Sequence, residues 1–178
     1  MPFGVLVLLT GALMLVLGSG ETSDFWVDAL QVWWRVVRAK MRGIRQLVIY
    51  WDNGRENSGR RTQFLKRMVR FADWSGLVIR LVSYPPYHSK YNPIERCWSS
   101  LEKKWNGVLL NCWQVIWACA LRMTWKGMHP VVERLLGRYV KGVKVPKAEM
   151  AMYEARLERS ATLPDYDITI RPKIPRYR

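Results

Sequence analysis

Apolar positions along the chain fall into two kinds of run. The first kind is short and unbroken. Phe3–Leu8 and Ala12–Leu17 flank Leu9-Thr10-Gly11 and lack polar alternation, so they predict a β-hairpin with both faces covered. Gln46–Trp51 and Leu77–Val82 are rich in β-branched and aromatic residues and predict two buried strands. The second kind repeats every three or four residues. Trp26, Leu30, Trp33, Trp34, Val37 and Met41 mark a long helix, capped by Thr22 or Ser23 and stopped at Gly43. Phe64, Leu65, Met68, Phe71 and Ala72 mark another, opened by Asn57 or Ser58 and stopped at Gly76. Ile94, Trp98, Leu101 and Trp105 mark a third, with Asn92 as N-cap and Pro93 at the first helical position. Beyond Gly107 the stripes predict helices over 111–126, 130–141 and 146–160. Residues 161–178 show no period and read as an irregular basic tail.

In order, these elements are a hairpin, a helix and then alternating strands and helices. That order predicts an α/β fold, a mixed sheet with an antiparallel edge and helices on its faces. A chain of 178 residues is one domain, or one domain with an appendage. The apolar run over 2–17 admits two other readings. A secretory signal requires a basic start, yet no Lys or Arg precedes Arg35. A membrane span requires about 20 unbroken apolar residues, and Thr10-Gly11 interrupts this run. The hairpin is therefore preferred.

Charge changes the picture. The chain holds 29 basic against 14 acidic residues, a formal net charge of +15. Such an excess selects a polyanionic partner, nucleic acid before an anionic membrane surface. The plain alternative is a solvated basic face. Cys97, Cys112 and Cys119 form no CxxC, and His88 and His129 are the sole histidines. This argues against a zinc site and for reduced core thiols in a cytosolic protein. The ten tryptophans mostly sit at helical spacing, where packing is the default role, although one or two could stack on bases.

Candidate chemistry rests on two acids. Asp52 ends a strand and precedes Asn53-Gly54. It is either a turn residue or a carboxylate at the C-terminal end of a central strand, where open sheets place their sites. Glu95 falls three positions into its helix, where Asn-Pro-Ile-Glu resembles a capping box. The helix dipole would also hold it ionised, as a metal ligand requires. Phosphoryl transfer assisted by magnesium or manganese needs hard oxygen ligands from separate elements. Asp24 and Asp28 read as ordinary surface or capping residues. Arg60, Arg61, Lys66, Arg67 and Arg70 form a basic helix face suited to phosphate contacts.

The motifs that carry these acids resemble a known family. Trp51-Asp52-Asn53-Gly54, Glu56-Asn57 and Arg60-Arg61-Thr62-Gln63-Phe64 lead to Tyr84-Pro85-Pro86-Tyr87-His88-Ser89-Lys90-Tyr91-Asn92-Pro93-Ile94-Glu95-Arg96-Cys97-Trp98. Together they are similar to the ISAzo13-type insertion-sequence transposases, members of the DDE superfamily with an RNase H-like fold. The proline-rich lead-in with Asn-Pro-Ile-Glu is similar to the segment bearing the third acid in the related IS630 and Tc1/mariner groups. The likeness extends to Met123-Thr124-Trp125-Lys126-Gly127, His129-Pro130-Val131-Val132 and Thr169-Ile170-Arg171-Pro172.

The resemblance implies that Asp52 is the second catalytic acid and Glu95 the third, each a ligand of Mg2+ or Mn2+. It further implies DNA as partner, both transposon ends and target, a homodimer, and a bacterial, nucleoid-associated cytoplasmic location without membrane contact. Arg60, Arg61, His88, Lys90 and Arg96 become candidate DNA contacts. Residues 1–126 would form a partial RNase H-like core, 127–160 a helical extension and 161–178 a basic tail. The family's first acid lies on a strand before the hairpin, whereas no acidic residue here precedes Glu21. The expectation is therefore an N-terminally truncated transposase with its first strand missing, a sheet edge unpaired, an incomplete triad and little activity alone. The alternative is a non-catalytic DNA-binding remnant.

Overall fold

The hairpin forms as its apolar runs predict: β1 (Pro2–Leu6) pairs antiparallel with β2 (Leu13–Leu17). This is seen in a computed structural model that describes residues 1–85 and 88–174. Pro86 and Tyr87 of the proline-rich lead-in, and residues 175–178 of the tail, lie outside the described residues. The chain forms two compact units, one of Met1–Ser19 with Lys90–Arg138 and one of Gly20–Ser89 with Tyr139–Arg178.

In the first unit, β2 is buried along its whole length, as a run without polar positions requires. Helices α3 (Glu95–Trp105) and α4 (Trp113–Arg122) cover it. Leu13, Leu15 and Leu17 meet Cys97, Leu101, Ala120 and Met123 in one core, with Ile94, Trp98 and Trp105 packed around them. Gly4 permits the close approach of α3. A Cβ there would lie 2.7 Å from the Trp98 ring and 2.8 Å from Ile94.

One expectation fails in this unit. The pattern predicts a helix over 130–141, but Val131–Arg134 is a strand, β5, parallel to β2 in the register Met14↔Val131. Two β-branched residues after Pro130 favour the sheet, and a segment of four residues is too short to show a period.

The second unit packs α1 (Ser23–Val37) and α2 (Thr62–Ser75) beside a four-stranded sheet. The strand order is β3 (Gln46–Trp51), β4 (Val78–Ser83), β7 (Asp167–Ile170), β6 (Leu157–Arg159). β3 and β4 are parallel and the other pairs antiparallel. The hairpin thus does not join the β3–β4 sheet, and two mixed sheets replace the single one expected.

Phe64, Met68 and Phe71 of α2 are wholly buried, each contributing about 1.5–3 kcal/mol of apolar burial. Thr22 caps α1 through its hydroxyl, which accepts the Phe25 N–H at 3.2 Å. Gly76 ends α2 in the left-handed conformation, φ 73°. The stripe predicts α1 to Met41, but α1 stops at Val37 and a turn follows. Asp24 and Asp28 are also more than surface residues. Asp24 accepts from Gln63 at 2.8 Å, and Asp28 pairs with Arg67 and accepts the Tyr139 hydroxyl at 3.0 Å, so they clasp α1 to α2.

The C-terminal expectations are corrected as well. The helix predicted over 146–160 ends at Glu154 as α5 (Lys147–Glu154), and β6 follows. The tail predicted to be irregular contains β7, whose Ile168 and Ile170 are buried while Asp167 and Thr169 alternate between them. No helix among the described residues is long and apolar enough to cross a membrane.

Candidate active site

The geometry around Asp52 begins with the end of β3. Trp51 is buried there, stacked on Trp26 at 5.5 Å and met edge-on by Phe64 at 5.3 Å. This aromatic group fixes the point at which the chain leaves the sheet. Asn53 then takes a positive φ of 57°, which Asn tolerates better than most residues. The loop turns back so that the Asn57 N–H donates to the Gly54 carbonyl at 3.2 Å.

Asp52 is exposed, and among the described residues no cationic side chain pairs with it. Its Oδ1 accepts from the Asn57 side-chain amide at 2.8 Å and from the Gly54 N–H at 3.3 Å. Asn57 is 1% exposed, and its Oδ1 has no hydrogen-bond donor. A Cβ built on Gly54 would lie 3.2 Å from that oxygen and 3.5 and 3.6 Å from the two Asp52 carboxylate oxygens. Three oxygens therefore face one small space that glycine leaves open. An all-oxygen donor set with one negative charge suits a hard cation such as Mg2+ or Mn2+, so the residues present fit the ion that a DDE chemistry calls for. Among the described residues no three His, Cys, Asp or Glu side chains gather as a metal site. Any ion here would lean on amide and carboxylate oxygens together.

The loop opens on a cleft of about 380 Å³ lined by Glu21, Trp26, Asp52, Gly54, Arg55, Glu56, Asn57, Lys141 and Gly142. Its charged residues differ in their engagement. Glu56 is held: it accepts from Ser23 N–H at 3.3 Å and pairs with Arg61 at 3.1 Å, both side chains being about 15% exposed. Arg55 and Lys141 are exposed, and no ion pair engages them among the described residues. Several other cations of this unit are paired: Arg60 with Asp165, Arg67 with Asp28, Arg80 with Asp167, Arg156 with Asp73. The sequence reading missed Arg55 and Lys141. Arg55 follows the Asp-Asn-Gly turn directly, a signal that was available. Lys141 reaches the cleft only through the tertiary path of the chain.

Glu95 belongs to the other unit. It is exposed and is the first residue of α3, with Ile94 as N-cap, rather than the third position expected. Its N–H donates to the Asn92 carbonyl at 3.0 Å, and the Asn92 side chain accepts the Ile94 N–H at 3.4 Å. The carboxylate therefore stands in the first turn of a helix, where the dipole favours its charge.

The candidate DNA contacts divide. Arg96 and Lys90 are exposed, Lys90 lying 5.2 Å over the Tyr91 ring. His88 is exposed and its backbone N–H donates to the Pro85 carbonyl at 3.1 Å. Arg60 is exposed and paired with Asp165 at 2.6 Å, and Arg61 is mostly buried against Glu56. The thiols match their expected role in part. Cys97 and Cys119 are buried and Cys112 is exposed, all three free, and burial pushes the Cys97 thiol up to about 11.

Comparison with known proteins bears on this arrangement. The family model of the Rhodopirellula transposase DDE domain matches residues 1–172. No curated protein and no solved structure matches. The mixed α/β architecture accords with that family model, and the chain belongs to the Rhodopirellula transposase DDE-domain family, as an ISAzo13-family transposase.

Proposed function

We propose that the Asp52 cleft is a metal-dependent phosphoryl-transfer centre acting on DNA, with Asp52 a ligand of Mg2+ or Mn2+, and that Glu95, on the family resemblance, is a metal-ligating carboxylate of its own unit. The observation that carries this reading is a carboxylate at a strand end, in a cleft with two exposed cations, Arg55 and Lys141, none of the three in an ion pair among the described residues. A bound divalent ion would supply Lewis-acid polarisation of a phosphodiester and activation of the attacking hydroxyl. The protein's own groups do the rest. Gly54 N–H and the Asn57 amide orient the Asp52 carboxylate. Arg55 and Lys141 neutralise backbone phosphates beside it. Trp26 walls the cleft and limits water.

The non-catalytic DNA-binding reading draws on one observation, that no three-acid group assembles among the described residues. A supercoiled-plasmid assay separates the two. The catalytic reading predicts nicking that needs Mn2+ or Mg2+ and is lost in Asp52→Ala and in Glu95→Ala. Nicking that survives both substitutions, or chelation of the metal, would sink it.

A further inference from the structure

Asn57 holds a position that the alignment of Asp52 alone does not require. Its side-chain NH2 donates to Asp52 Oδ1 at 2.8 Å. A carboxylate only accepts, so this contact fixes which end of the amide faces Asp52. The other end, Oδ1, is left with no donor although the residue is 1% exposed. A buried amide oxygen without a partner is disfavoured, and native structures rarely leave one unexplained. Here the orphaned oxygen looks onto the same space as both Asp52 oxygens, the space a Gly54 side chain would fill. That space borders the cleft.

We propose that Asn57 Oδ1 is a second protein ligand of the cation at Asp52, and that Gly54 is side-chain-free to keep the ion's position open. The proposal rests on the reading of Asp52 as a metal-binding carboxylate. It adds a neutral oxygen from a residue whose type and place otherwise suggest a helix cap. It also assigns Gly54 a role in room rather than in backbone conformation, since Gly54 is not among the positive-φ residues. Alanine at 54 is therefore acceptable to the backbone, and its methyl group would occupy the ion's place.

Mn2+ binding to the full chain, counted by the electron paramagnetic resonance signal of the free ion, tests this without reference to activity. The proposal predicts that Asn57→Ala weakens Mn2+ by about tenfold or more, in the range lost when groups around a metal are removed. Gly54→Ala should weaken it comparably, and Asn57→Asp, which retains an oxygen, should keep or tighten it. Circular dichroism shows whether each variant folds. If Asn57→Ala does not, Gly54→Ala decides. Unchanged Mn2+ affinity in Asn57→Ala and Gly54→Ala, with affinity lost in Asp52→Ala, overturns the assignment of Asn57 and leaves the Asp52 reading intact. Unchanged affinity in Asp52→Ala overturns both.

Discussion

Around Asp52, two arginines of one loop, Arg55 and Arg61, have opposite fates. Arg61 is mostly buried against Glu56, which also receives Ser23. It braces the site loop rather than facing solvent. Arg61→Ala should therefore lower thermal stability by about 1–3 kcal/mol, the cost of leaving a half-buried carboxylate without its donor. Arg55 and Lys141 are exposed cations on the cleft. Arg55→Ala and Lys141→Ala should leave the melting temperature unchanged. Each should weaken duplex binding and reduce the slope of log K against log salt by about 1. Fluorescence anisotropy across a salt series reads both, and an Arg61→Ala variant that changed the slope but not the stability would reverse the assignment.

Asn57 shows why a site can escape a sequence reading. Asn and Ser before an apolar stripe signal a helix N-cap, and Asn57 or Ser58 was the natural choice. Yet α2 begins at Thr62, with Arg61 as an N-cap whose side chain makes no capping hydrogen bond. The amide turns to Asp52 instead. Capping and ligand orientation use the same short polar side chains, so pattern alone does not separate them.

Among elements, the long ones were legible and the short ones were not. The hairpin strands, β3 and β4 are largely apolar or β-branched runs of five or six residues, and α1 and α2 are long enough to declare a period of 3.6. β5, β6 and β7 have four, three and four residues. Their identity comes from partners far away in sequence, as when Ile168 and Ile170 of β7 pair beside Leu81 and Ile79 of β4. The tail is thus part of a core. Ile168→Ala or Ile170→Ala should cost about 2–5 kcal/mol in chemical denaturation. A change near zero would return the tail to the irregular status its composition suggests.

The same segment makes stability depend on acid. Asp73 of α2 receives two Arg156 contacts at 2.8 and 3.2 Å and the Lys173 N–H at 2.8 Å. Burial pushes its carboxyl up, but the Arg156 and Lys173 hydrogen bonds outweigh this and hold it below the usual carboxylate range. A carboxylate with a depressed folded pKa stabilises fully above its unfolded value, about 3.9. That contribution is lost as pH falls through the lower folded value. Melting temperature should therefore drop below about pH 4, and Asp73→Asn should flatten part of that drop while lowering stability at neutral pH.

At the scale of the whole molecule, the basic excess and the central motif pointed to a DNA transposase before any fold was visible, and the family match bears out that identity. The division into two units was not legible. Each unit is assembled from segments distant in sequence, Met1–Ser19 with Lys90–Arg138 and Gly20–Ser89 with Tyr139–Arg178. A reading that proceeds along the chain draws boundaries along the chain. For the same reason Lys141 was invisible as a neighbour of Asp52.

The central claim is that Asp52 presents a divalent ion to DNA. If it does, ion and DNA must bind with reciprocal coupling, whether or not the chain completes a reaction. The most direct test is the affinity of the full chain for labelled duplex DNA at fixed ionic strength, with Mn2+ and with chelator, in the wild type and in Asp52→Ala. The account predicts that Mn2+ tightens wild-type binding about tenfold, within the usual range of such coupling, and that Asp52→Ala shows no such gain. Equal Mn2+ dependence in both proteins, or none in the wild type, would contradict it.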